Sequence, residues 1–362
     1  MRLNVAAAVV RGQLVPGDVD VDDGVVTAVG LATSDGRGRI AIPGFVDLQV
    51  NGYAGVDFLA ASRADYERAG EALLEGGVTA YQPTFITAPE LTLREALREV
   101  PVTPQIIGAH VEGPFLSPDR LGTHPAVHRR DPELALLERL LDAGNVTQYS
   151  LAPELPGADA LIECALARGI VVAAAHTNAT AAEAHHAFDI GVSTVVHLFN
   201  AMRPFRSRDP GIVGVALTRR DVTVQLIVDG HHLSEETVRL IWAAAGGRAA
   251  LVTDAMAGAG LGGSGAYQLG DVEVAVAGGV PMREDGVFAG TVLTMLDAMR
   301  NLHALGVPLE EAVGAATEVP ARIVRRPDLG VLEPGARADV VVLDDRLEIA
   351  QVLAGGKAYV VA

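Results

Sequence analysis

Residues 170–200 read IVVAAAHTNATAAEAHHAFDIGVSTVVHLFN. The stretch opens on an apolar, β-branched and Ala-rich run that ends at His176. It continues through ATAAEAHHAFDIG (179–191), where apolar residues recur at helical spacing, and returns to a second apolar run ending at His197. That is the pattern of a strand, a helix and a second strand parallel to the first. In both strands a histidine stands where the apolar run breaks. Two more runs end the same way: IIGAHVEG (106–113) carries Glu112 and AALVTDAM (249–256) carries Asp254. Strand ends of parallel βα units gather at one mouth of a barrel, which is where such enzymes place their chemistry.

Working outward, eight strand-like runs can be counted, at 44–51, 78–85, 106–112, 147–153, 170–176, 192–198, 222–228 and 249–254. RADYERAGEALLEGG, DPELALLERLLDAGN and SEETVRLIWAAAG supply helical patterns between them, and eight βα repeats close a barrel. Beyond the eighth run come a short β excursion at 264–290 (AYQLGDVEVAVAGGV) and two helical patterns, TMLDAMRNLHALG and PLEEAVGAATEVPARIV. The ends differ in texture: GDVDVDDGVVTAVG turns at a DDG (22–24), and ARADVVVLDD and GGKAYVVA close the chain. The expected fold is α/β: a (β/α)8 TIM barrel over 43–333, with a small β-sandwich domain formed jointly by 1–42 and 334–362.

Composition narrows the function. A hydrophobic share of 49% over 362 residues supplies a large core, and 20% charged residues argue against disorder. A net charge of −17 disfavours nucleic acid and anionic membranes as partners, and obliges any anionic substrate to meet a local cationic pocket. The one cysteine, Cys164, excludes an internal disulfide and reads as a buried structural thiol on the helical segment ADALIECALARG. No run of 18 apolar residues and no cleavage-site pattern is found, so the expected location is cytoplasmic.

Two imidazoles and a carboxylate (His176, His197, Glu112) suit Zn²⁺ or a similar divalent ion with an open position for water, and Asp254 beside that water suits a general base. The other histidines read as ordinary: His185, His186 and His303 on helical segments, and His128 solvated among Arg129, Arg130 and Asp131. A G-x-G-x-x-G at Gly258, Gly260 and Gly263 runs into a strand-like stretch rather than a helix and is set aside as a nucleotide motif. Lys357 is the only lysine, so no P-loop exists. Arg203, Arg206 and Arg208, just beyond His197 in NAMRPFRSRDPG, read as an anion pocket, since arginine presents a planar fork suited to phosphate.

Taken together the segments PGFVDLQVNGYAGVDF (43–58), HVEGPFLSP (110–118), GTH (122–124), AAHTNAT (174–180), VVHLFNAM (195–202), DGHHL (229–233), LVTDAMAGAG (251–260) and GTVLTM (290–295) resemble the N-acetylglucosamine-6-phosphate deacetylases of the amidohydrolase superfamily. The resemblance implies a divalent ion on Glu112, His176 and His197, zinc first and iron, manganese or cobalt as alternatives. It implies Asp254 as catalytic acid/base and His124 as a second catalytic group. It implies that Thr123 and His124 contact the N-acetyl sugar. Asn200, Ala201, Arg208 and the loop Asp229, Gly230, His231, His232 are implied to contact sugar or phosphate, with Phe288, Ala289 and Gly290 lining the substrate. The implied reaction is deacetylation of N-acetylglucosamine 6-phosphate in amino-sugar catabolism or recycling, by a homodimer whose partner is the small sugar phosphate. Many superfamily members carry His-x-His on the first strand and a carbamylated barrel lysine. Here Gln49-Val50-Asn51 stands at the first place and no barrel lysine exists, which points to one tight metal site. The same absences disfavour a cyclic-amide hydrolase of the dihydroorotase or hydantoinase type. Asp254 disfavours a non-catalytic sugar-phosphate sensor, which needs no general base.

Overall fold

The computed structural model describes residues 1–32, 38–262 and 264–359. Residues 33–37 and 360–362 of the terminal segments, and Gly263 of the set-aside glycine pattern, lie outside the described residues. Eight parallel strands form one sheet: Phe45–Val50, Val78–Phe85, Ala109–Glu112, Val146–Leu151, Val171–Ala174, Thr194–Val195, Thr223–Leu226 and Ala249–Leu251, each beside its sequence neighbour. The sheet closes on itself past the last strand, where Ala255 O accepts from Asn51 N at 2.7 Å and the Thr253 hydroxyl donates to Asp47 Oδ2 at 2.5 Å. The TIM-type barrel is therefore present, with separate antiparallel sheets beside it.

Several observed strands are shorter than the apolar runs suggested. The fifth stops at Ala174 and the sixth at Val195, two residues before His176 and His197. The reason is backbone conformation. His176, His197 and Asp254 have φ of 45°, 31° and 50°, so each leaves the ladder in the left-handed region. Non-glycine residues adopt it at a cost, and such strain clusters at functional sites.

Some of the helices between the strands start at side-chain caps. Ser62 and Thr180 accept from the backbone N–H groups of Asp65 and Glu183, whose carboxylates reach back to the cap N–H, completing two capping boxes. Each such cap is worth about 1 kcal/mol. The pattern PLEEAVGAATEVPARIV, expected as one helix, is two, Leu309–Ala316 and Glu318–Ile323. Pro320 explains the break: it lacks an N–H, and its ring crowds the carbonyl of Ala316 four residues back.

A six-stranded sheet takes Gln13–Pro16, Ala7–Val10 and Ile40–Pro43 from one end of the chain and Val340–Leu343, Ile349–Ala354 and Lys357–Tyr359 from the other. The hairpin Asp18–Asp22/Val25–Leu31 turns at Asp23 and Gly24, both at positive φ, and packs Val19, Val21 and Val26 against Ala41, Val340 and Val342 of that sheet. A two-residue turn with both residues left-handed matches the twist of the strands it joins. The excursion after the eighth barrel strand is a three-stranded antiparallel sheet, Gly265–Leu269, Val272–Ala277 and Val280–Met282, which approaches the barrel mouth. Cys164 lies half-buried on its helix rather than within the core.

Candidate active site

Glu112 ends the third barrel strand and is almost wholly buried. His197 Nε2 lies 2.9 Å and His176 Nε2 3.5 Å from Glu112 Oε1, while His124 Nε2 is 3.7 Å from the other carboxylate oxygen. Burial alone would raise the Glu112 carboxyl, but the three imidazoles outweigh it and hold the group well below the usual carboxylate range. His176 is pushed down to about 4, first by burial and then by the neighbouring histidines, so it is neutral at physiological pH. Its tautomer follows from its partner. Nδ1 lies 2.9 Å from the carbonyl of Arg120, which only accepts, so Nδ1 carries the proton and the Nε2 lone pair faces Glu112.

These residues fit a divalent ion. One donor atom each from Glu112, His176 and His197 lies within 4.8 Å of the others, all three residues buried. A carboxylate and two imidazoles with an open side is a donor set of catalytic zinc sites. Gln49 and Asn51 act as donors instead. Gln49 Nε2 reaches Glu112 Oε2 at 3.2 Å, and Asn51 Nδ2 reaches Asp254 Oδ1 at 2.7 Å. Asp254 stands apart from the metal-capable cluster, and its carboxyl is raised above the ordinary aspartate value, first by burial and then by the charge of Glu112.

The group opens into a cavity of about 320 Å³. Of the residues expected at the substrate, Thr123, His124, Asn200, Ala201, His232, Phe288 and Gly290 line it together with the metal-capable cluster and Asp254. Thr123 Oγ1 is buried there without a hydrogen-bond partner. Gly290 is required by contact: a Cβ would sit 2.7 Å from the carbonyl of Asp254. Arg208, Asp229, Gly230, His231 and Ala289 are not among the lining residues. Ala289 is fully buried, and Gly230 and His231 are exposed. Asp229 works one step back, accepting from the backbone N–H groups of His231 and His232 at 2.8 Å and facing His232 Nδ1 at 2.7 Å.

The arginine cluster needs correction. Arg203 is not free for an anion: its guanidinium is clamped on Asp209 at 2.7–3.0 Å and donates to the carbonyl of Asn178. Arg206 and Arg208 are exposed, and Arg208 makes no side-chain hydrogen bond among the described residues. His128 is partly exposed and also pairs, with Nε2 2.9 Å from the exposed Asp271.

Sequence reading missed Arg120, Asp119 and Asn51 as lining groups, Thr87 as the partner of His124, and Glu154 as the partner of Thr177 and Asn178. Glu154, just past the fourth barrel strand, accepts from the Thr177 hydroxyl at 2.5 Å and from Asn178 N at 2.6 Å, pinning the chain that follows His176. Thr87 likewise follows the second strand and meets His124. The available signal was a polar residue two or three places beyond an apolar run, the same signal that singled out His176, His197 and Asp254.

The amidohydrolase family model matches residues 40–359. The chain belongs to the amidohydrolase family. Similar proteins within it include amino-sugar-phosphate deacetylases. The human N-acetylglucosamine-6-phosphate deacetylase is 35% identical over 344 residues, covering 89% of this chain and 84% of its own. An Escherichia coli O157:H7 N-acetylgalactosamine-6-phosphate deacetylase is 33% identical over 351 residues, 93% of each chain. Among solved structures, the Mycobacterium smegmatis N-acetyl-D-glucosamine-6-phosphate deacetylase overlays with a TM-score of 0.94 at 34% identity, covering 99% of this chain and 100% of that one. An Asp-to-Ala variant of the same enzyme, in complex with N-acetyl-D-glucosamine 6-phosphate, gives 0.93 at 34%, covering 99% and 98%.

Proposed function

We propose that this protein hydrolyses the acetamide of N-acetylglucosamine 6-phosphate, releasing acetate and glucosamine 6-phosphate. The observation that carries the reading is the likeness, over almost the whole chain, to a deacetylase whose structure holds that sugar phosphate. A divalent ion on Glu112, His176 and His197, zinc by the donor set, would lower the pKa of a water toward about 7 and polarise the acetamide carbonyl. In this reading Asp254 would take a proton from the attacking water and later give it to the departing amine as the C–N bond breaks. Its raised carboxyl suits a group that must hold a proton in passing. His124 donates to the carbonyl oxygen as it gains charge, an interaction typically worth about 3–4 kcal/mol of barrier. The orphan Thr123 hydroxyl and the tilted ring pair of His232 and Phe288, centroids 5.0 Å apart, would bound the sugar.

Acetate release from the gluco and galacto 6-phosphates, with divalent metal supplied, tests the reading. The galacto epimer is the second reading, favoured by the Escherichia coli relative. Faster release from the gluco epimer is the expected result. Faster release from the galacto epimer would reassign the substrate, and release from neither would remove the activity.

Metal content is a separate expectation. With Gln49 and Asn51 acting as hydrogen-bond donors to Glu112 and Asp254, one ion per chain should survive exhaustive dialysis. A reproducible value near two, lost on changing Gln49 or Asn51, would overturn the single-site reading.

Phosphate recognition is assigned to His232, which lines the cavity, and to the exposed Arg208, which has no salt-bridge partner among the described residues. A charge-assisted contact contributes about 1.5–3 kcal/mol, so Arg208→Ala should lower kcat/KM for the phosphorylated sugar roughly ten- to a hundredfold. Unphosphorylated N-acetylglucosamine should be turned over at nearly the original rate. Equal losses on both sugars would assign Arg208 to the fold.

A further inference from the structure

Thr87 lies two residues past the second barrel strand and is buried against His124. Both its backbone N–H and its hydroxyl meet the same ring atom, His124 Nδ1, at 3.2 and 2.9 Å. A backbone N–H can only donate. Nδ1 must therefore offer its lone pair, and in the neutral ring the proton resides on Nε2. The hydroxyl, facing the same lone pair, donates as well. The contact is built closely: a Cβ on Gly113, the residue after Glu112, would sit 2.4 Å from Thr87 Oγ1. Nε2 is the ring nitrogen turned toward Glu112 and the cavity.

We infer that Thr87 is a positioning residue that fixes the His124 tautomer, so that an N–H rather than a lone pair faces the reacting carbonyl. With the other tautomer Nε2 would present a lone pair to a carbonyl oxygen and could donate nothing. The inference rests on the proposed amide hydrolysis for its consequence, but the tautomer itself does not depend on any substrate. Removing the hydrogen-bond partner of a metal-bound histidine typically changes affinity or activity about 10–100-fold, and an effect of the same order is expected for the partner of His124.

The test has two parts. On protein loaded with Zn²⁺ and free of substrate, ¹⁵N–¹H correlation spectra should show His124 with a protonated Nε2 and an unprotonated Nδ1, the signals assigned by their loss in His124→Gln. Thr87→Val removes the hydroxyl donor and keeps the backbone N–H, so Nε2 should stay protonated while the Nδ1 signal shifts as that nitrogen loses one of its two hydrogen bonds. Turnover of N-acetylglucosamine 6-phosphate should fall about tenfold or more with KM nearly unchanged, and Thr87→Ser should restore both. A proton on Nδ1 in the unmodified protein would overturn the inference without any variant, even if Thr87→Val failed to fold. So would an unchanged spectrum and kcat in a folded Thr87→Val. If the unmodified protein hydrolyses no acetamide, the proposed function falls, while the spectrum still decides the tautomer.

Discussion

Glu112→Gln should leave a folded barrel that loses its metal on dialysis and with it about a thousandfold or more of turnover. The substitution keeps the shape of the side chain and removes its charge. Three imidazoles surround that carboxylate and hold it ionised although it is buried, so the charge is the common element of the whole cluster. A neutral amide is a poor partner for a divalent ion beside two histidines. Metal polarisation supplies several kcal/mol of transition-state stabilisation, and about 1.4 kcal/mol corresponds to a tenfold rate change. Elemental analysis after dialysis, circular dichroism and turnover on one preparation check the three parts together. Full metal occupancy with full activity would place the metal elsewhere. Loss of the fold itself would mean that Glu112 neutralises its histidines for stability, with catalysis secondary.

The barrel was legible because most of its strands lie in largely apolar runs, as in a parallel sheet buried on both faces, although Gln49, Gln82, Gln148 and Gln225 are buried within them. The site was legible for a related reason. A metal-capable side chain at the end of such a run has no role in the core, so Glu112, His176, His197 and Asp254 stood out. What periodicity cannot show is where the backbone leaves the ladder. The positive φ values of His176, His197 and Asp254 are set by tertiary partners, such as Ser117 N donating to the His176 carbonyl and the Gly290 turn packed on Asp254. Thr87 and Glu154 occupy the corresponding positions on the second and fourth strands. They passed unnoticed because Thr and Glu after a strand are common in ordinary loops, and only the three-dimensional pairing with His124 and with Thr177 and Asn178 distinguishes them. The arginine loop failed in the opposite sense. Spacing gathers Arg203, Arg206 and Arg208 within a few residues, but spacing does not reveal that Asp209 folds back onto Arg203. Nor does spacing reveal that His128 pairs with Asp271, 143 residues away.

Asp254→Asn should separate proton transfer from metal binding more cleanly than any other change in this site. Asparagine is nearly isosteric and is among the few non-glycine residues that tolerate the left-handed conformation Asp254 adopts at φ 50°. The turn against Gly290 therefore has no reason to move. Asn51 Nδ2 now donates to Oδ1 of Asp254, and the new amide oxygen can accept that hydrogen bond. What disappears is the carboxylate that accepts a proton. General-base assistance contributes about 10²–10⁴-fold, so kcat should fall by that factor while KM and bound metal stay close to their original values. The metal result is the sharper half, because Asp254 lies outside the cluster of donor atoms formed by Glu112, His176 and His197. Loss of metal, with activity restored by excess Zn²⁺, would make Asp254 a fourth ligand and leave the proton shuttle to another group. An unchanged kcat would show that the water is activated without Asp254, and its burial beside Glu112 would then need a different explanation.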